Sequence, residues 1–319
     1  MSLQAEQGAG PAGPARDPHS STSSWRAFVG MPGRSRPTAR IAVFLLLTFG
    51  LSAIFYALLV RRGGLEGAGA GLEVLGLMWC PGIAALLTQL VFRRTLAGLG
   101  WGWGKTRYQV SSFLLPLAYA GCVYVPVWWL GLGGLDAEVL HRAAVRFGLD
   151  AVPEPWVLVP LVPVVGIVGL VPNAIFALGE EIGWRGFLVP ELRRATTFTR
   201  TALLSGLVWA AWHMPLILFA GYRAETPVWF GVVCFTVLVV GVSVPLAWLR
   251  LKSGSLWTAM FLHAGHNLYI QSFFDRLTTD AGPTEWIVGE FGAGLALVAA
   301  GVGFLFWRRR GALSGSNEG

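Results

Sequence analysis

From Ile41 onward the chain alternates between long apolar runs and short polar connections. Eight runs can be marked, at 41–60, 72–92, 111–132, 156–178, 200–220, 228–249, 255–273 and 286–307. Each is close to the ~20 residues that a helix needs to cross the hydrocarbon layer. Several contain proline (Pro81, Pro116, Pro126, Pro215, Pro245), which membrane helices tolerate when neighbouring groups satisfy the freed carbonyls. The pattern predicts an all-α, polytopic membrane helix bundle of about eight transmembrane helices, with an eight-helix domain over 40–310. Residues 1–39 are rich in Gly, Pro, Ser and Ala without apolar periodicity, and are expected to form a disordered cytoplasmic tail. They lack the apolar core of a signal peptide. A short tail is expected at 311–319.

Composition agrees with lipid as the main solvent. The chain is 54% hydrophobic and 13% charged, with a mean hydropathy of +0.59, whereas a soluble domain carries about a quarter charged residues. The net charge of +7 therefore does not point to nucleic acid. Basic residues gather in alternate connections: Arg16, Arg26, Arg34, Arg36 and Arg40, then Arg93, Arg94, Lys105 and Arg107, then Arg185, Arg193, Arg194 and Arg200, then Arg250 and Lys252, then Arg308, Arg309 and Arg310. The intervening loops hold Arg61, Arg62, Arg142, Arg146, Arg223 and Arg276. The bias predicts a multi-pass cell-membrane protein with both termini in the cytoplasm. Cys80, Cys122 and Cys234 lie in apolar runs with neither zinc nor disulfide spacing, and read as small core residues.

Against this background three polar groups stand out, because ionisable side chains in a membrane cost free energy unless partnered. The first is "GEEIGWRGF", with Glu180, Glu181 and Arg185 at the end of the fourth run. Glu181 and Arg185 are helical i, i+4 neighbours and can pair. Glu180 points about 100° away and has no cation four residues on. Gly179 and Gly183 form a small-xxx-small pair that lets another helix approach. The second is His213 in "LVWAAWHMPL", four residues after Trp209; the third is "FLHAGHN", where His263 and Asn267 share a face that His266 borders. Taken singly, the acids fit a snorkelling cluster at the interface and the histidines fit polar glue between helices. Together they can supply a carboxylate and imidazole that take a proton from water and donors for a developing oxyanion. Glu180, His213 and His263 are also candidate ligands for a divalent metal such as zinc. Neither HExxH nor GxSxG occurs.

These three motifs, in this order, resemble the CPBP family of intramembrane proteases, which includes CAAX prenyl endopeptidases and bacteriocin-processing and immunity proteins. The family pattern of EExxxR, aromatic-xxx-His and HxxxN is read here as Glu180-Glu181 to Arg185, Trp209 to His213, and His263 to Asn267. Trp209 stands where the family often has Phe. The resemblance implies a membrane-embedded peptidase, glutamate- or metal-dependent, whose cavity opens to the cytoplasm. Glu180 would activate water with help from His213, His263 and Asn267 would stabilise the oxyanion, Glu181 and Arg185 would support the site, and His266 would be secondary. The expected partners are a peptide or membrane-protein substrate and the lipid bilayer; oligomeric state is left open. The alternatives are a non-catalytic immunity or binding protein of the same family and a proton-coupled transporter. A transporter would show repeated halves, and no internal repeat is found. The Arg-rich, Lys-poor composition suggests a high-GC bacterial genome and favours leader-peptide or membrane-protein cleavage over processing of prenylated proteins.

If the termini are cytoplasmic, a cysteine introduced at Ala15 reacts with an impermeant thiol reagent only after the membrane is breached. Labelling in intact cells would invert the topology.

Overall fold

The computed structural model describes residues 37–67, 69–153 and 156–313. The expected tails fall outside the described residues, except that Pro37–Ala39 form the first turn of a helix and Gly311–Leu313 close a short 3-10 turn. The helices in order are α1 Pro37–Arg61, α2 Ala70–Arg93, α3 Thr106–Trp129, α4 Ala137–Arg146, α5 Leu158–Glu181, α6 Val189–Ala195, α7 Phe198–Phe219, α8 Val228–Ser253, α9 Trp257–His266, α10 Asp275–Leu277 and α11 Ala293–Arg308. A wide π-helical segment, Ile182–Leu188, joins α5 to α6 without a break, and another, Asn267–Phe274, joins α9 to α10. The one sheet among the described residues is a two-residue antiparallel pair, with Gly134 opposite Thr279 and Leu135 opposite Thr278.

All eight apolar runs are helical, and the fold is a polytopic helical bundle. Among the described residues six stretches are long and apolar enough to cross a membrane: α1, α2, α3, Leu158–Ala195, α7 and α8. The last two runs differ from expectation. The seventh is a short α-helix followed by a π segment, interrupted by its own His and Asn residues, and the eighth keeps only sixteen residues of regular helix. The fourth run was expected to end near Glu180. It continues to Ala195, because Ile182–Val189 remain helical and wholly buried, so Glu180 sits well inside the bundle.

The helix connections form two poles. Arg40, Arg93, Arg94, Lys105, Arg107, Arg193, Arg194, Arg200, Arg250, Lys252 and Arg308–Arg310 lie at one, the basic pole. There the buried Glu191 ties three helices together, pairing with Arg40 of α1 at 2.8 Å, Arg93 of α2 at 2.7 Å, and Arg194 one turn on. The other pole, here the acidic pole, holds Arg61, Arg62, Arg142, Arg146, Arg223 and Arg276 among the acids Glu66, Glu73, Asp136, Glu138, Asp150, Glu225, Asp275, Asp280, Glu285 and Glu290. Large apolar side chains such as Leu72, Ile167 and Leu297 point outward, as the bilayer requires. The same fact corrects one expectation: Cys80 and Cys234 are buried, but Cys122 is exposed, because an apolar position in a membrane helix can face lipid as well as core.

The helix pairs that hold the site are α2 with α5, α7 with α8, and α9 with both α3 and α5. The α2–α5 contact depends on the predicted glycine pair. A Cβ on Gly179 would lie 2.7 Å from the Met78 carbonyl oxygen, and one on Gly183 would lie 2.5 Å from Pro81 Cβ and 2.7 Å from its carbonyl. Backbone this close cannot yield without moving the helix. Gly183→Ala should therefore destabilise the bundle by ~1–3 kcal/mol, the usual cost of overpacking, and lower the unfolding temperature in detergent. Gly301→Ala, where a Cβ meets nothing within 4 Å, should leave it unchanged.

Candidate active site

The three motifs converge. Glu180, Glu181 and Arg185 come from the junction of α5 and its π segment, Trp209 and His213 from α7, His263 from α9, and Asn267 from the start of the second π segment. Glu180 lies fifteen residues before Ala195, and His213 fifteen residues past Phe198. The two are thus at matching depth from the basic pole, which the shorter boundary of the fourth run had concealed. Both π segments begin directly at the site, as is frequent for such insertions.

Glu180 is 2% exposed and Glu181 and Arg185 are fully buried. Glu181 and Arg185 form the i, i+4 ion pair, Nη1 to Oε1 at 2.8 Å. The same Glu181 oxygen accepts from His263 Nδ1 at 2.9 Å. Arg185 continues from Nη2 to Ser243 Oγ of α8 at 3.1 Å, and its guanidinium carbon lies 4.3 Å from the Trp209 ring centre. Its backbone carbonyl accepts from Arg250 Nε at 3.0 Å. Glu180 lacks a cation in its own helix, as expected, but it is not without partners. Its Oε2 accepts from the indole N–H of Trp209 at 2.7 Å and of Trp184 at 3.1 Å. Its other oxygen, Oε1, lies 3.9 Å from His263 Nε2.

Hydrogen-bond chemistry sets the imidazole tautomers. The Trp209 carbonyl can only accept, so His213 Nδ1, 2.9 Å away, carries the proton. In the neutral ring Nε2 then holds a lone pair. His263 Nδ1 likewise donates to Glu181 Oε1, the oxygen that accepts from Arg185. His263 is therefore a bridge between the two acids, which the sequence did not reveal.

Glu180, Trp209, His213, His263 and Asn267 line one cavity of about 380 Å³. His266 lines it too, in a second polar cluster. Its Nε2 bonds Glu290 Oε1 at 2.9 Å, and its Nδ1 accepts from the Tyr119 hydroxyl. Glu290 Oε2 accepts from Gln271 Nε2 at 3.1 Å and from the Tyr222 hydroxyl. Glu290 lies in the connection before α11. Burial raises its carboxyl pKa, but His266, Tyr222 and Gln271 outweigh that and hold it down at about 2. Neither Trp184 nor this cluster was recognised from sequence. Trp184 was visible as the residue four after Glu180; Glu290, Tyr222 and Tyr119 are far apart in the chain and carry no local signal.

The donor types suit a divalent metal, but the arrangement does not assemble them. Among the described residues no three His, Cys, Asp or Glu side chains are grouped to hold an ion. His263 Nδ1 and Glu180 Oε2, two of the candidate atoms, are committed to Glu181 and the indoles.

Residues 155–269 match the model of the type II CAAX prenyl endopeptidase Rce1-like family. The match spans all three motifs. The chain is similar to that family over this stretch, 115 of its 319 residues. Among curated proteins it is similar to CAAX prenyl protease 2 of Methanococcus maripaludis, at 32% identity over 141 residues, which is 43% of this chain and 46% of that protein. The chain thus matches about half the length of this relative.

Within this site the Glu181–Arg185 pair is wholly dehydrated, so its two halves are not separable. Glu181→Gln leaves a buried guanidinium and an imidazole without their carboxylate. A loss of about 3–5 kcal/mol is expected, read as a lower unfolding temperature in detergent.

Proposed function

We propose that the chain is a membrane-embedded endopeptidase, hydrolysing a peptide bond with water activated by Glu180, in a bundle whose basic pole and both termini face the cytoplasm. The observation that carries this reading is the pairing of Glu180 Oε1 with His263 Nε2 at 3.9 Å on the wall of the cavity. That gap is too long for a direct hydrogen bond and short enough for one water to touch both atoms.

Each side chain then has a task. The two indoles hold Glu180 Oε2 and leave Oε1 toward the cavity. Glu180 takes a proton from water as the hydroxide oxygen attacks the carbonyl carbon. His213 Nε2, an acceptor in its neutral form, helps orient the water. Negative charge develops on the carbonyl oxygen. Asn267 offers an amide N–H to it, and His263 offers Nε2–H in the imidazolium form, which Glu181 stabilises from behind. When the C–N bond breaks, the proton on Glu180 passes to the leaving amine. Glu181 and Arg185 position His263 and Trp209 without touching the substrate. A metal is not needed for any of these steps.

Glu180→Gln keeps the shape and an acceptor for the indoles while removing the base. Peptide cleavage in membranes should fall by at least ~10²–10⁴-fold, the range ascribed to a general base, with the unfolding temperature in detergent nearly unchanged. Full activity in this variant would refute the assignment of Glu180.

A further inference from the structure

An outer groove shares no residue with the candidate active site. It has a volume of about 400 Å³ and is lined by α7, α8 and α11 alone. Glycines bring the three helices together. A Cβ on Gly206 of α7 would lie 2.9 Å from Val240 Cα of α8, and one on Gly303 of α11 would lie 2.7 Å from the Gly241 carbonyl oxygen. α8 is thereby recessed between its neighbours. The buried Gly241 and Val244 form the floor of the groove, and the exposed Leu203 of α7 and Phe304 of α11 form its walls. On α8 the lining runs from Thr236 to Val244, about 12 Å of helical rise. That is close to the hydrocarbon depth of one leaflet, half of the ~30 Å core. The length suits a lipid acyl chain. A transmembrane helix of a second copy would extend over about twice that depth.

Charge says which lipid. The groove ends at the basic pole, where the Trp307 indole donates to Thr199 Oγ1 at 3.0 Å and joins α11 to α7. Arg200 stands three residues before Leu203, and Arg308 four residues after Phe304. Each is exposed and shares the helix face of its wall residue, one turn nearer the pole. α7, α8 and α11 contain no Asp or Glu. Among the described residues neither Arg200 nor Arg308 forms an ion pair. A third cation, Arg310, has its guanidinium carbon 3.8 Å from the Trp307 ring centre. An uncovered apolar recess and cations without an anion are answered by one molecule. We infer that this groove binds a phospholipid with an anionic headgroup. Its acyl chain lies on α8 between Leu203 and Phe304, and its phosphate sits between Arg200 and Arg308. Basic pockets between membrane helices recognise such headgroups, and guanidinium N–H groups are strong donors to phosphate oxygens. A zwitterionic headgroup brings a cation of its own and gains less. The bound lipid links α11 to α7, the helix that carries Trp209 and His213.

The test is lipid retention. The full chain is placed in vesicles of phosphatidylcholine with about one-fifth phosphatidylglycerol. It is extracted in mild detergent and washed free of loose lipid, and the lipids that stay bound are identified by mass spectrometry. The ratio of phosphatidylglycerol to phosphatidylcholine on the protein is expected to be about tenfold higher than in the vesicles. Arg200→Gln combined with Arg308→Gln should abolish that enrichment. Arg146→Gln combined with Arg223→Gln removes two exposed arginines of the acidic pole and should leave it intact. Ala300→Phe fills the groove from an exposed position and should abolish retention although every arginine is present. If Ala300→Phe lowers the unfolding temperature, Val237→Phe, on the opposite helix of the groove and also exposed, fills the same space. A native chain that shows no enrichment refutes the inference. Equal loss in the two arginine pairs would assign the effect to net charge, and unchanged retention in both groove-filling variants would assign it to headgroups held on the surface; either result overturns it. So would a dimer that carries no lipid and is split by Ala300→Phe, since a second copy would then occupy the groove.

Discussion

Two adjacent carboxylates inside a bilayer-spanning bundle are stable only if something nearby answers their charge, and here that is Arg185. Two unit charges about 4 Å apart interact by roughly 4 kcal/mol at an effective dielectric constant of 20. That attraction has to offset the dehydration of both groups. Arg185 meets the demand by using nearly all of itself. One nitrogen holds Glu181, another holds Ser243, the flat face of the guanidinium lies against Trp209, and its own carbonyl receives Arg250. Those contacts tie the α5 junction to α7 and α8. The cation pairs directly with one acid and leaves the other, Glu180, to two indole N–H groups and the nearby His263. A charge held by two indole N–H groups keeps one oxygen free for chemistry, which a second salt bridge would not allow.

The π segments make that geometry possible. In Ile182–Leu188 the wider turn keeps Trp184 and Arg185 directed into the bundle while the helix passes on to α6. The absence of side chains at Gly179 and Gly183 lets α2 pack backbone against backbone beside the same turn. Removing the space would push α2 outward; removing the wide turn would rotate Trp184 or Arg185 away from its acid. Packing and electrostatics thus meet in one stretch of about ten residues, which is buried throughout.

How much of this was legible follows from the range of each interaction. Apolar runs are local, so every one of the eight was found as a helix. The i, i+4 pairing of Glu181 with Arg185 and the glycine pair were visible for the same reason. Depth was misjudged because a helix that stays buried after its hydrophobic run ends looks like a connection. Arg185 was counted with the basic connection, whereas it is core. His263 was placed in the right cavity but its bond to Glu181 crosses 82 residues, and no periodicity records such a pairing. Of the cluster around Glu290 only His266 was singled out, since Tyr119, Tyr222, His266 and Glu290 come from four separate parts of the chain.

Trp209 shows why the three motifs travel together. Phe, the residue often found in its place in the family pattern, keeps the ring over Arg185 but has no donor. The indole adds an N–H that reaches Glu180 Oε2 at 2.7 Å, shorter than the bond from Trp184. Its own carbonyl sets the tautomer of His213, and its ring lies edge-on to His263 at 5.1 Å between centres. One side chain of the second motif therefore touches the acid of the first, the imidazole of its own, and the imidazole of the third. Glu181 closes the circuit by joining the first motif to the third through His263. The spacings seen along the chain are thus the local traces of one continuous network. Residues within a motif lie four apart because a helix turn sets that distance, and the motifs depend on one another because no buried charge in the network is satisfied by its own helix alone.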